Sequence, residues 1–483
     1  MKRTAILVTA LFLSAGPLCR AENRGEVGQA YTPEWQSLDL RPVPEWFQDA
    51  KFGIFVHWGL YSVPAYSPTV RDGMSLYDLY AEHYWNRWVN GQMAGNSFFR
   101  EFHSRVYGND FSYRDFAGLF KAEVFNPAEW AEIFRTSGAK YVVLTSKHHE
   151  GFCLWPSAFS PEWNAGESGP HRDLLGELTD AVRQAGLRMG YYYSLLEWFH
   201  PLYNTENIEE YTREHLIPQM KELVCRYNPD ILWTDGEWDH PSGTWHSEEF
   251  LQWLYNDSPV RDRIAVNDRW GSDTRSRHGG FFTTEYDIAQ PGIDGLATFA
   301  RPWEECRGIG GSFGFNRMER LEDYASSQEL IRLLVQKVSH GGNLLLNIGP
   351  TADGRIPLLM QERLKDMGDW LSVNGEAIYG SRKWSNAEGS CDNPDVFFTS
   401  KKGAVYAIAT KWISEPLEIK GIGKVTAVSL LGGTEKVSFK RKGNSIIIRP
   451  VHVKSPDALP CKWAWTFRLL TEMEETADNA HNP

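Results

Sequence analysis

The chain has 483 residues, with 50 Lys and Arg against 62 Asp and Glu, and a formal net charge of −12 at pH 7. A surface this acidic repels nucleic acid and anionic membranes, so we expect neither as a partner. The length is sufficient for one large domain and one smaller domain.

Residues 1–21 have the pattern of a secretory signal peptide. Met1-Lys2-Arg3 is basic, the segment from Thr4 to Ala15 is largely apolar, and Ala21 offers a cleavage point. Cleavage there would remove three basic residues and no acidic residue, which changes the net charge from −12 to −15. We therefore expect a secreted or periplasmic protein. Membrane insertion is not expected, because no later stretch reaches the roughly 20 apolar residues of a spanning helix.

The cysteines and the aromatic residues of the chain constrain the predicted fold only loosely. Five cysteines lie beyond the predicted signal peptide, too scattered for a zinc cluster and too few for a disulfide-stapled scaffold. At most one disulfide is predicted, between Cys391 and Cys461. The 20 Trp and 20 Tyr exceed what a core needs. They indicate either surfaces that stack on sugars or a Trp-rich core, and the sequence does not separate the two.

Eight apolar segments with polar or aromatic ends recur along the first 350 residues. Helical patterns lie between several of them, and the region from about 266 to 320 carries little helix. Strands that alternate with helices predict a parallel sheet, and eight of them predict closure. We therefore predict an α/β fold, an irregular (β/α)8-like barrel over residues 30–382. The eight strand segments begin at Phe52, Lys140, Met189, Ile231, Arg263, Gly280, Gly311 and Gly342, with the seventh the weakest.

The composition changes after Tyr379-Gly380. From about Val396 the chain consists of short alternating runs separated by turn residues such as Lys442-Gly443-Asn444, the spacing of an all-β domain. We predict a smaller C-terminal β-sandwich over residues 390–471. Residues 472–483 are acidic and polar and are expected to be disordered.

The fourth predicted strand ends in an unusual cluster of carboxylates and indoles. Ile231 to Trp233 is a buried-strand run, and Gly236 lets the backbone turn just after Asp235. Glu237 follows at strand spacing, and Trp233 and Trp238 flank the pair. An Asp before a Gly is often only a turn signal. The flanking rings and the second acid favour a functional role for Asp235, because barrel sites lie at the carboxyl ends of strands.

Other predicted strands end in residues of similar chemistry. A barrel brings these ends together, so we predict one pocket that contains imidazoles, an arginine, aromatic rings and two carboxylates. Imidazole, guanidinium and indole groups suit a hydroxyl-rich ligand, and paired carboxylates suit cleavage of a glycosidic bond. No phosphate-binding G-x-G-x-x-G or P-loop is present. The pocket residues are His57, His148, His149, Tyr192, Asp235, Arg269 and Glu285.

A metal ion or other cofactor is not predicted. His57, His148 and His149 could supply ligands, but the last two are adjacent and would point to opposite sides of a continuing strand. No H-E-x-x-H spacing is present either.

Six motifs together resemble the α-L-fucosidases of glycoside hydrolase family 29. The similarity runs from about Trp46 to Arg382, and the β-rich tail resembles that family's C-terminal sandwich. The motifs are His57-Trp58-Gly59, Lys147-His148-His149-Glu150-Gly151-Phe152, Tyr192-Tyr193-Ser194, Trp233-Thr234-Asp235-Gly236, Asn267-Asp268-Arg269-Trp270 and the run from Gly342 to Pro350.

The resemblance implies a retaining exo-hydrolase that removes terminal α-L-fucose from glycans through a covalent fucosyl-enzyme. It makes Asp235 the nucleophile. It also implies that fucose is bound by Glu82, His57, His148, His149, Tyr192 and Arg269. Glu82 opens the segment Glu82-His83-Tyr84-Trp85, in which His83 stands where the family commonly has tryptophan.

The resemblance does not fix the general acid/base, because its position varies within the family. We choose Glu285, ahead of Asp287 and Glu304. Two other hypotheses stay open at this stage. One is a fucose-binding, lectin-like protein on an inactive barrel, and the other is transfucosylation at the same site.

Overall fold

The computed structural model describes residues 30–69, 73–91, 95–203, 206–290, 293–294, 301–453 and 455–472. The predicted signal peptide and residues 473–483 of the predicted tail lie outside these ranges. Glu472 is still held, because its backbone N–H donates to Lys424 O over 3.1 Å. Among the described residues, no helix is both long enough and apolar enough to cross a bilayer.

The larger part of the chain forms a curled sheet surrounded by helices. Its strands are β1 (Phe52–Val56), β2 (Tyr141–Lys147), β3 (Arg188–Ser194), β4 (Ile231–Asp235), β5 (Ala265–Val266), β6 (Phe282–Glu285), β7 (Ile288–Gln290), β8 (Ile293–Asp294), β9 (Trp303–Gly308) and β10 (Asn343–Ile348).

The helices follow the chain order of a (β/α) fold. They are α1 (Trp35–Leu38), α2 (Glu45–Ala50), α3 (Tyr84–Val89), α4 (Asn96–Val106), α5 (Phe116–Leu119), α6 (Pro127–Thr136), α7 (Leu174–Gln184), α8 (Ile208–Tyr211), α9 (Ile217–Tyr227), α10 (Ser247–Asn256), α11 (Ser327–Ser339) and α12 (Leu358–Ile378). A single π-helical turn over Thr212–Leu216 joins α8 to α9.

Eight strands run parallel in the spatial order β5-β4-β3-β2-β1-β10-β9-β6. Between β5 and β6 the backbone approaches closely enough for two hydrogen bonds, from Gly280 N to Asn267 O (3.1 Å) and from Phe281 N to Val266 O (3.0 Å). The predicted irregular (β/α)8-like barrel is thus confirmed. No α-helix occurs among the described residues between α10 and α11, so the irregular side lies where the sequence indicated.

The seventh strand is the one predicted wrongly. Residues 311–316 form a loop, and the seventh parallel strand is β9. Its central residues, Glu304 to Arg307, look unlike a buried strand because three of the four are charged. Glu304, Glu305 and Cys306 are nevertheless buried, because each acid has partners inside the fold. Glu304 accepts from Tyr141 and Trp233, and Glu305 accepts from Thr284 and Arg307.

The C-terminal part consists of two antiparallel sheets. The strands are β11 (Arg382–Lys383), β12 (Val396–Lys401), β13 (Ala404–Ala409), β14 (Leu417–Lys420), β15 (Val425–Leu430), β16 (Phe439–Lys442), β17 (Ser445–Ile448) and β18 (Trp465–Thr471). One sheet has the order β11-β12-β13-β18-β15 and the other β14-β17-β16, and the two share a separate apolar core. The larger sheet packs on α12, where the Trp370 indole donates to Ala464 O over 2.9 Å.

The predicted disulfide between Cys391 and Cys461 is wrong, because both thiols are free. Each sulfur has a local hydrogen-bond partner instead. Asn393 N donates to Cys391 Sγ over 3.4 Å, and Cys461 Sγ donates to Ala464 O over 3.1 Å.

A buried charge cluster lies beneath the carboxyl ends of β2 and β3. Glu197 contacts Lys147 and accepts from His215 Nε2 over 2.7 Å, and Lys147 also donates to Gln219 over 3.1 Å. Burial would raise the pKa of Glu197, but the adjacent Lys147 and the hydrogen bond from His215 lower it to about 2. The carboxylate therefore stabilises a lysine that has no access to water.

We expect Glu197→Gln to destabilise the fold by about 3–5 kcal/mol, since it leaves Lys147 buried without its counter-charge. Urea unfolding would measure this. Glu132→Gln, in an exposed pair with Arg135, is the matched control and should unfold like the wild type.

The Glu197 carboxylate should also make the stability of the fold depend on pH. Its pKa in the folded state lies below the ordinary 4.5, so its stabilising effect is present above pH 4.5 and is lost as the pH falls towards 2. Glu197→Gln should lack this component of the acid dependence. Parallel acid profiles for the two proteins would contradict the role of the pair.

Candidate active site

Asp235 is the last residue of β4, and its carboxylate lies at the carboxyl end of the barrel. Gly236 follows with φ +74°, a conformation that favours glycine, and a Cβ there would lie 2.9 Å from Leu196 Cγ. Arg269 Nη1 donates to Asp235 Oδ1 over 2.7 Å, and Tyr192 Oη donates to Oδ2 over 2.9 Å. His149 Nε2 lies 3.9 Å from Oδ2. Both carboxylate oxygens are therefore held in fixed positions.

The surroundings keep Asp235 ionised. Burial would raise its pKa, but the positive charge of Arg269, the proximity of His149 and the hydrogen bonds from Arg269 and Tyr192 lower it to about 2. The group is thus an anion at any pH at which the protein would work. An ionised carboxylate at the mouth of a barrel can act as a nucleophile.

Arg269 joins Asp235 to the second predicted carboxylate. Its Nη2 donates to Glu285 Oε2 over 3.1 Å while its Nη1 holds Asp235, so one planar fork places the two acids side by side. The other oxygen of Glu285, Oε1, accepts from Tyr80 Oη over 2.8 Å. The backbone turns sharply after Glu285, because Tyr286 and Asp287 have φ of 49° and 69°. Glu285 therefore closes its strand and faces the same opening as Asp235.

The two alternative acids lie elsewhere. Asp287 forms ion pairs with Arg307 and Lys337, outside this pair of carboxylates. Glu304 is buried at the start of β9, where Tyr141 and Trp233 Nε1 donate to it, the latter over 3.1 Å. Burial raises the pKa of Glu304 to about 7. Of the three candidates only Glu285 shares Arg269 with Asp235.

Three predicted histidines line the same opening. His57 Nδ1 and Asn347 Oδ1 are hydrogen-bonded at 2.7 Å, and His149 Nδ1 and Ser194 Oγ at 2.7 Å. Burial lowers the pKa of His57 to about 3 and that of His149 to about 4. The His148 ring stacks on Tyr192 with the planes 9° apart. The imidazoles are therefore neutral and present hydrogen-bonding groups rather than charges.

The expectation that His148 and His149 point to opposite sides is wrong. β2 ends at Lys147, so the alternation of a strand does not extend to them. Their ring centroids are 4.1 Å apart. His83 also joins this group, with its centroid 5.3 Å from that of His149.

Glu82 is held by the loop that follows β9. Its Oε2 accepts from Ser312 Oγ over 3.0 Å and from Gly314 N over 2.8 Å. Burial raises the pKa of Glu82 to about 7, since these hydrogen bonds offset desolvation only in part. This carboxyl therefore lies close to the protonation boundary at neutral pH.

Aromatic rings surround the polar groups. Phe313 packs on His57 with the ring centroids 4.9 Å apart, and Arg269 Cζ lies 4.5 Å from the ring centroid of Trp233. The ring centroids of Trp198 and Trp238 each lie 5.3 Å from the centroid of His149, and Trp238 is exposed to solvent. The indole content thus serves both the core and the pocket edge.

Comparison with known sequences identifies the protein family. The family model described as "Alpha-L-fucosidase" matches residues 19–376, and the model of its C-terminal domain matches residues 391–470. The chain belongs to the α-L-fucosidase family. Because α-L-fucosidases are glycoside hydrolases, the chain is a member of that enzyme class as well. The resemblance of its motifs to family 29 is confirmed.

Individual fucosidases are similar to this chain over almost its whole length. "Tissue alpha-L-fucosidase" of Homo sapiens is 42% identical over 474 residues, with 96% of each chain covered. An "Alpha-L-fucosidase" of Branchiostoma floridae is 43% identical over 449 residues, covering 91% of this chain and 95% of the relative. A Thermotoga maritima alpha-fucosidase, solved with a mechanism-based inhibitor, superposes with a TM-score of 0.75 at 37% identity, covering 91% of this chain and all of that one.

The fucosidase fold brings most of the predicted pocket residues together. Asp235, Arg269 and Glu285 form one ion-paired group, with Tyr192 and His149 in contact with Asp235. Tyr80 was missed by the sequence reasoning. It lies in an irregular segment before α3, and the only sequence signal was its position two residues before Glu82.

Proposed function

We propose that this chain is a secreted or periplasmic retaining exo-α-L-fucosidase, which releases terminal α-L-fucose from glycans by double displacement. The observation that carries the proposal is the fork of Arg269, which holds Asp235 and Glu285 on its two terminal nitrogens. Retaining glycosidases need their two carboxyl groups only about 5–5.5 Å apart, whereas inverting enzymes leave room for a water between them. A shared guanidinium supports the shorter spacing.

In the first step Asp235 attacks the anomeric carbon of the fucosyl group. The bond to the leaving oxygen breaks as Glu285 gives that oxygen its proton, and a fucosyl ester forms on Asp235. In the second step the Glu285 carboxylate takes a proton from water, the water attacks the same carbon, and Asp235 leaves as a carboxylate. Two inversions give net retention. Arg269 and Tyr192 stabilise the negative charge of the Asp235 carboxylate whenever the ester is absent.

The remaining polar groups suit the sugar hydroxyls. Neutral His57, His148 and His149 can each donate or accept, and their other contacts with Asn347, Tyr192 and Ser194 fix the ring planes. We assign these histidines, Tyr192, Arg269 and Glu82 to the binding of fucose. The aromatic rings nearby, such as Phe313, suit the methyl group that fucose carries in place of a 6-hydroxyl.

The stereochemistry of the first product tests this proposal. Proton NMR during hydrolysis of an aryl α-L-fucoside should show α-L-fucose before the β anomer appears by mutarotation. Initial release of β-L-fucose would rule out double displacement, and absence of any release would favour the binding-protein hypothesis.

Tyr192→Phe provides a graded test of the support for Asp235. Tyr192 orients the attacking carboxylate and is assigned to a fucose contact, so we expect kcat/KM for an aryl fucoside to fall about 10- to 100-fold without the hydroxyl. Tyr191→Phe is the matched control, because its hydroxyl bonds to Thr179 instead, over 2.8 Å. Equal losses in the two variants would show that the effect is one of packing.

A further inference from the structure

Three imidazoles converge beside Asp235, and one of them, that of His83, is not assigned to fucose binding. One ring nitrogen from each of His83, His148 and His149 lies within 4.8 Å of the other two. His83 ends a short 3-10 turn over Ala81–His83, whereas the other two follow β2. His83 is also the residue that departs from the family's usual tryptophan. The triad is therefore a property of this chain's own sequence.

One of the three rings is positioned by a hydrogen bond, and a second has a carboxylate close to one of its nitrogens. His149 Nδ1 is hydrogen-bonded to Ser194 Oγ at 2.7 Å, which leaves Nε2 directed towards the pocket. His148 Nδ1 is buried without a hydrogen-bond partner and lies 3.6 Å from Glu150 Oε2, which also has none. An imidazole backed by a carboxylate or hydroxyl on one nitrogen, and open on the other, is the usual setting of a metal-binding histidine.

The charge at the site also suits a cation. His148 and His149 are buried and His83 is partly buried, so the three rings lie inside the pocket edge rather than on the open surface. Asp235 Oδ2 lies 3.9 Å from His149 Nε2 and offers a fourth, anionic ligand. Three imidazoles and a carboxylate match the donor preference of Zn²⁺. Ligand distances near 2.1 Å would require the rings to draw together slightly.

We propose that His83, His148 and His149 form an inhibitory site for Zn²⁺ or a similar borderline dication, with Asp235 as a fourth ligand. The bound ion occupies the nitrogens proposed to meet the sugar hydroxyls and engages the nucleophile. It therefore competes with substrate. Binding of the ion is independent of the proposed function, whereas inhibition rests on it.

Calorimetric titration of the metal-free protein with ZnCl₂ tests the site without any turnover. We expect one ion per chain in the wild type, and at least ~10-fold weaker binding in His83→Phe and in His83→Trp, which restores the family's usual residue. His452→Ala, at an exposed histidine of the C-terminal part, is the matched control and should bind like the wild type.

The readouts separate this inference from the proposed function. No Zn²⁺ binding in the wild type, or equal binding in correctly folded His83→Trp, would overturn the site even if fucosidase activity is present. With an aryl fucoside, Zn²⁺ should raise KM of the wild type while leaving kcat unchanged, and this effect should weaken at least ~10-fold in His83→Trp. Inhibition that lowers kcat alone would overturn the competitive mechanism.

Discussion

Asp235→Asn should lose at least about 10⁴-fold in kcat while keeping its fold, because removal of a nucleophile abolishes the covalent step and leaves only binding. The amide keeps the shape of the side chain. Arg269 keeps its hydrogen bond to Glu285 Oε2, so the guanidinium is not left without a partner. Steady-state hydrolysis of an aryl fucoside and thermal unfolding together measure the two parts of the expectation.

Asp230→Asn is the matched control. Asp230 lies just before the other end of β4, where it pairs with Arg188 and Arg263 rather than with any pocket residue. We expect it to affect unfolding more than turnover, since that face of a barrel supports stability. Near wild-type kcat in Asp235→Asn would refute the assignment of the nucleophile.

Glu285→Ala should slow natural glycosides severely, because their departing oxygen needs a proton. An activated aryl fucoside needs little help in leaving, so its first step should survive and the second step, now without a general base, should become limiting. Azide should then restore turnover. It needs no deprotonation and can enter the space left by the side chain, and two displacements at carbon would give α-L-fucosyl azide.

Asp287→Ala and Glu304→Ala serve as the controls for this assignment. Asp287 pairs with Arg307 and Lys337, and Glu304 is enclosed by Tyr141 and Trp233, so neither variant should respond to azide. Azide rescue in one of these, and not in Glu285→Ala, would move the acid/base to that residue.

The sequence predicted the regular strands well because their residues are apolar on both faces. β1, β4 and β10 are buried throughout, as expected for a sheet covered by helices. β9 was missed because its charged residues are neutralised by partners on other strands, such as Thr284 on β6. A single sequence does not show such pairings.

The same distinction applies to the site. Asp235 and Glu285 end their strands, and Arg269 follows the short strand β5, so the barrel alone brings them to one edge. Tyr80 and His83 lie in an irregular segment between β1 and β2, and their positions depend on tertiary packing. A metal site of His57, His148 and His149 was not predicted from the sequence, because β2 was expected to continue through His148 and no H-E-x-x-H spacing is present.

Trapping with 2-deoxy-2-fluoro-α-L-fucosyl fluoride tests the central claim most directly. The fluorine slows both steps, and the good leaving group lets the first proceed, so the fucosyl-enzyme accumulates. We expect intact mass spectrometry to show one label per chain and peptide mapping to place it on Asp235. Labelling of any other residue, or turnover of the reagent without a covalent adduct, would contradict a double displacement through Asp235.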